Sequence, residues 1–107
     1  MQGLLGLGLA EGGFRIGVAH RVSVAVDPAS IGAVASGDTL VTIPGVQVGD
    51  LVIGIPPVTM TAGLALQTCV VTAPNVVTVR LTNASAGAID GASLLWTFLI
   101  FDLTPLV

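Results

Sequence analysis

Few residues in this chain are of a type that does chemistry. His20 is its one histidine and Cys69 its one cysteine. A general base needs a partner within hydrogen-bond reach. His20 offers none in its neighbourhood, and it reads as a surface or interface residue. Cys69 stands in the apolar stretch Leu64 to Thr72 and reads as a small core residue. The serines carry no nucleophile motif around them. A zinc centre takes about four Cys, His or acidic ligands, and the sequence has no such set. Asp27, Asp38, Asp50 and Asp90 each adjoin proline or glycine. Their spacing does not follow a calcium loop, so all four read as turn formers that bond their own backbone. Asn83-Ala84-Ser85 fits the glycosylation pattern and reads as a chance match. The glycines between Gly3 and Gly17 neither follow a strand nor open a helix, which argues against a phosphate loop. The expectation is a protein that is not an enzyme, with no catalytic residues, no cofactor and no metal.

Charge is scarce as well. Only 8% of the 107 residues are charged, against 53% hydrophobic. A globular domain ordinarily has about a quarter of its residues charged. Lysine is absent, and Arg15, Arg21 and Arg80 are scattered through a chain of net charge -3. That provides no footprint for a phosphate backbone or for an anionic membrane surface, so neither nucleic acid nor membrane is an expected partner. The most apolar run, Leu94 to Phe101, falls short of the roughly 20 residues of a membrane helix. Met1 to Leu5 lacks a basic leader region, and no secretory signal is expected. With one cysteine there is no intrachain disulfide, so stability must come from the core or from oligomerisation.

The elements follow from period-two patterning. In Arg21 to Val26 the three valines share one face. Asp27-Pro28 ends that strand, and Ser30 to Asp38 is a connection of small residues. Thr39 to Ile43, Leu51 to Ile55, Leu64 to Thr72, Val76 to Thr82 and Leu94 to Leu103 are further strands. They are bounded by Pro44-Gly45, Pro56-Pro57, Ala73-Pro74-Asn75 and the loop Asn83 to Ala92. The fold class expected is all-β: a small antiparallel β-sandwich or barrel of about six to eight strands, formed by residues 21–107. Residues 1–20 form an extended N-terminal arm, because six glycines there oppose a helix. The expected core is Val22, Val24, Val26, Val77, Val79, Leu81, Trp96 and Phe98.

Two strands differ in a telling way. Val76 to Thr82 alternates apolar with Thr78, Arg80 and Thr82, as a strand does with one face in water. The final strand is apolar on both sides. Leu94, Trp96, Phe98 and Ile100 form one side, and Leu95, Leu99, Phe101 and Leu103 the other. A patch of that kind marks an interaction site. The interface candidates are therefore Leu95, Leu99, Phe101 and Leu103, with Leu4, Leu5, Leu7, Leu9 and Phe14 as anchors on the arm. A homo-oligomer is expected.

From Val22 to about residue 101 the chain resembles a group of small phage virion proteins. The resemblance lies in Val24-Ala25-Val26-Asp27-Pro28-Ala29-Ser30-Ile31, Gly45-Val46-Gln47-Val48-Gly49-Asp50, Pro56-Pro57 and Ala62-Gly63-Leu64. It continues in Val71-Thr72-Ala73-Pro74-Asn75 and Asn83-Ala84-Ser85-Ala86-Gly87-Ala88-Ile89-Asp90. Most of the matched residues are turn formers. Such proteins are similar to capsid decoration (cement) proteins and the bases of head fibres. The resemblance implies a trimer seated on the outside of a phage head, with the major capsid protein as partner, made in the host cytoplasm. The arm lies outside it. The alternatives are a tail or fibre component with a receptor-binding surface, or a bacterial surface adhesion module.

Overall fold

A computed structural model describes residues 14–105, with side chains described for residues 19–102. The described residues form six strands and no helix. These are β1 (Phe14–Val26), β2 (Ala35–Thr42), β3 (Leu51–Ile55), β4 (Leu64–Ala73), β5 (Val76–Asn83) and β6 (Leu94–Pro105). They make two three-stranded antiparallel sheets, ordered β1-β6-β3 and β2-β5-β4. The architecture is a small β-sandwich.

The core lies where the inner faces of the two sheets meet. The middle strands supply its centre: Val77, Val79 and Leu81 from β5, and Trp96, Phe98 and Ile100 from β6. Both triplets sit at alternate positions, because successive strand side chains point to opposite faces. The rings of Trp96 and Phe98 stack at 6.1 Å between centroids. Val26, Val41, Ile43, Val52, Leu64 and Val71 complete the packing. In β4 a register shift between Leu66 and Thr68 turns Gln67 and Thr68 both outward and returns Cys69 and Val71 to the inside.

Three local readings change. β1 begins at Phe14, so residues 14–20 of the expected arm pair with β6 as far as Pro105. The long partner strand supplies backbone groups for them to bond. Val22 and Val24 are half-buried and pack against the rim of the core, while Val26 is fully inside. β1 is an edge strand, where fewer neighbours cover the inner side chains. Asp38 is no turn residue: it stands within β2, where its carboxylate meets Arg80 on β5.

Glycine and asparagine make the tight connections. Gly45 and Gly49 take positive φ of 97° and 105° in the loop between β2 and β3. Asn75 does so at 67° in the β4–β5 hairpin, a conformation asparagine tolerates. Its side chain accepts the Gly45 N–H at 2.7 Å, and its backbone N–H donates to the Val46 carbonyl. The hairpin and the β2–β3 loop are thereby one unit.

Candidate functional site: an apolar sheet face

The two sheets turn very different outer faces to their surroundings. On the β2-β5-β4 sheet the outward side chains bond one another. Arg80 donates to both Asp38 oxygens, at 2.6 and 3.0 Å. The hydroxyls of Ser36 and Thr82 both donate to Gln67 Oε1 at 3.0 Å, and the hydroxyls of Thr72 and Thr78 lie 2.7 Å apart. The hydrogen bond from Arg80, with its attraction, holds the Asp38 carboxyl below the usual carboxylate range and raises the guanidinium. Leu40 and Val70 are exposed on this face, one on either side of Thr78. Isolated apolar residues of that kind are ordinary on a surface.

The outer face of the β1-β6-β3 sheet is apolar. Register sets Phe101 between Leu51 and Ala19, Leu99 between Ile53 and Arg21, and Thr97 between Ile55 and Ser23. Leu95 lies beyond, opposite Ala25. Leu51, Ile53 and Ile55 are 45%, 44% and 45% exposed, and Leu95 63%. Leu99 and Phe101 are half-buried among them. Arg21 is the one charged residue on this face among the described residues. The inner neighbours Trp96, Phe98 and Ile100 are locked in the core, so the face is held on a rigid strand.

Three of the expected interface residues, Leu95, Leu99 and Phe101, thus stand together. The Leu103 and Phe14 side chains, and the whole of Leu4, Leu5, Leu7 and Leu9, lie outside the described residues. Sequence reasoning missed Leu51, Ile53 and Ile55. Their signal was present: Leu51 to Ile55 is apolar at every second position on one side, while Val52 fills the other. That is the same two-sided pattern that marked the final strand.

An open cavity of about 330 Å³ lies at one end of the sandwich, between the inner side of β1 and β6 and the β2–β3 loop. His20, Gln47, Asp50 and Asp102 are its polar lining. Asp50 is already engaged, since it accepts the Gln47 N–H at 3.0 Å and its own N–H donates to the Gln47 carbonyl. This aspartate is the turn former expected. Cys69 is half-buried against Gly54, and burial raises its thiol pKa.

Asn83 plays a role that its tripeptide does not suggest. It is fully buried at the end of β5. Its Nδ2 donates to the carbonyls of Ile31, Gly32 and Gly87 at 3.0, 3.1 and 2.9 Å, and its Oδ1 accepts from the Ser85 N–H and hydroxyl. It joins the β1–β2 loop to the β5–β6 loop beside the Ile31–Ile89 bridge. A side chain so enclosed is inaccessible to a glycosylating enzyme in the folded protein.

No family model, curated protein or solved structure matches the chain.

Proposed function

We propose that this chain is a structural virion protein, a phage capsid decoration protein that binds the outer head shell and stabilises it through apolar contacts between subunits. It acts as a homo-oligomer, a trimer on the resemblance described above, and needs neither cofactor nor catalytic residue. The observation that carries the reading is the apolar outer face of the β1-β6-β3 sheet. Six large apolar side chains, Leu51, Ile53, Ile55, Leu95, Leu99 and Phe101, meet there on a core-anchored sheet. Burying apolar area is the main source of association energy. The low charge of the chain and its likeness to small phage virion proteins support the same reading.

The test is binding to purified shells that lack the protein. Ile53→Asp places a charge in the middle of the face and leaves the core untouched. It should weaken decoration by about tenfold or more, as loss of a buried contact at an interface does, while the circular-dichroism spectrum stays that of the parent. In a cryo-electron-microscopy map of the particle, the chain should lie on the head. Density at the tail, or undiminished binding by Ile53→Asp, would count against decoration.

A further inference from the structure

The β1-β6-β3 sheet is open along β1. This is the longest of the four outer strands, 13 residues against 8 in β2, 5 in β3 and 10 in β4. Its register with β6 is unbroken from Val18 to Val26, and it contains no proline. Among the described residues its backbone groups bond only to β6. An edge of that kind is a template for a further strand. The opposite edge of the sheet is closed: β3 is short, runs into Pro56-Pro57 and has Cys69 of β4 packed on Gly54. β4 is interrupted by two register shifts. On the inner side of β1, Val22 and Val24 are only half-buried, and a strand laid beside them would cover them.

Charge indicates what that strand carries. Apart from Arg80, which Asp38 holds, the arginines of the chain are Arg15 and Arg21, and both stand on β1 with the one histidine. β1 has no acidic residue. Arg21 is exposed on the outer side and has no ion pair among the described residues. A second β1 laid antiparallel on the first would set Arg21 opposite or diagonal to its counterpart in the registers of greatest overlap, and like charges so placed repel. An acid in that position attracts. We propose that the free edge of β1 takes up an extended segment of another protein as a fourth strand of this sheet, with an acidic side chain opposite Arg21 and apolar ones on the inner side beside Val22 and Val24. Successive strand residues point to opposite faces, so the segment that fits alternates apolar with polar residues and has an acid in its polar row. Main-chain bonds hold such a segment and the side chains select it. This deepens the decoration reading above and rests on it for the source of the segment, which is then the shell protein.

Amide hydrogen exchange on the full-length chain, read by NMR, tests this. The probe is a peptide as long as Val18–Val26 that alternates threonine with valine and has glutamate at its centre; a control peptide has lysine there. In the protein alone, every second amide from Val18 to Val26 faces the free edge and exchanges fast. The glutamate peptide should slow those amides about tenfold or more and leave the interleaved ones, already bonded to β6, as they were. Alternation is the signature of a paired strand, which a side-chain contact would not give. Arg21→Glu, with an unchanged circular-dichroism spectrum, should turn the preference to the lysine peptide. No slowing by the glutamate peptide, or equal slowing by both, overturns the proposal. So does slowing in the protein alone as its concentration rises, because a second copy would then occupy the edge. On purified shells the same amides of the bound chain should be slow, and fast exchange there overturns the shell protein as the source. A chain that pairs with the glutamate peptide and fails to bind shells counts against decoration alone.

Discussion

Asn83 shows how much one buried amide can organise. Its two N–H donors are shared among three carbonyls from two loops, and its oxygen holds Ser85. Asn83→Asp is nearly isosteric, yet it would set a carboxylate against three carbonyl oxygens with no donor to offer. Loss of the buried bonds and the unpaired charge should together cost at least about 3 kcal/mol, read from urea unfolding at neutral pH. Asp38 makes a milder case. Its carboxyl is held below the usual range by Arg80, so the pair's contribution is present above the unfolded carboxyl pKa. It is lost as pH falls through the lower, folded value. The pair is solvent-exposed, so the effect on stability is small. The measurement is a carboxyl NMR titration, in which Arg80→Gln should return the Asp38 midpoint upward. Neither role was legible locally. The Asn-Ala-Ser tripeptide and the Gly-Asp dipeptide describe chain neighbours, while both functions depend on partners on other strands or loops.

At the scale of elements, β3 packs tightly against β4 at Gly54. A Cβ added to Gly54 would lie 2.5 Å from the Cys69 sulfur and 3.4 Å from the Phe98 ring. Gly54→Ala should therefore destabilise by about 1–3 kcal/mol, the usual range for overpacking. Cys69→Ala in the same chain should recover much of that loss, a coupling that a double-mutant cycle measures. The loop before β2 has a different weakness. Val34 holds a φ of 49° while largely exposed, a backbone conformation that is costly for a β-branched residue. Val34→Asn should raise stability by about 0.5–1 kcal/mol, seen as a higher urea midpoint with an unchanged slope. The period-two pattern located all six strands, since alternation is a local property. It misplaced the starts of β1 and β2. Phe14, Ile16 and Val18 do alternate with Arg15, Gly17 and Ala19, but the glycines around them made the stretch read as part of the arm; Ala35 to Asp38 has no large apolar residue to alternate, and it extends because β5 runs beside it.

For the whole molecule the decisive property is asymmetry: one outer face bonds within itself, and the other is apolar. Association through the apolar face should respond weakly to salt, because there is little charge to screen. Sedimentation of the full chain in low and in high salt should give the same oligomer, and dissociation by salt alone would contradict an apolar interface. Acidic pH should likewise leave the proposed oligomer intact for as long as the fold survives, since Leu51, Ile53, Ile55 and Leu95 carry nothing to titrate.

From the residues alone came the all-β class, the six strands, the scarcity of charge and the two-sided character of the last strand. Each of these is set by side-chain periodicity and turn formers along the chain. Tertiary structure decided the rest. Strand order placed β3 beside β6, and so joined Leu51, Ile53 and Ile55 to Leu95, Leu99 and Phe101 in one surface. Packing decided that Asn83 is a buried hub and that Val22 and Val24 sit at the rim. The reason is the same in both cases. Periodicity tells which side chains share a face of a strand, but which strand lies alongside, and what lies above, depends on contacts between residues far apart in the chain.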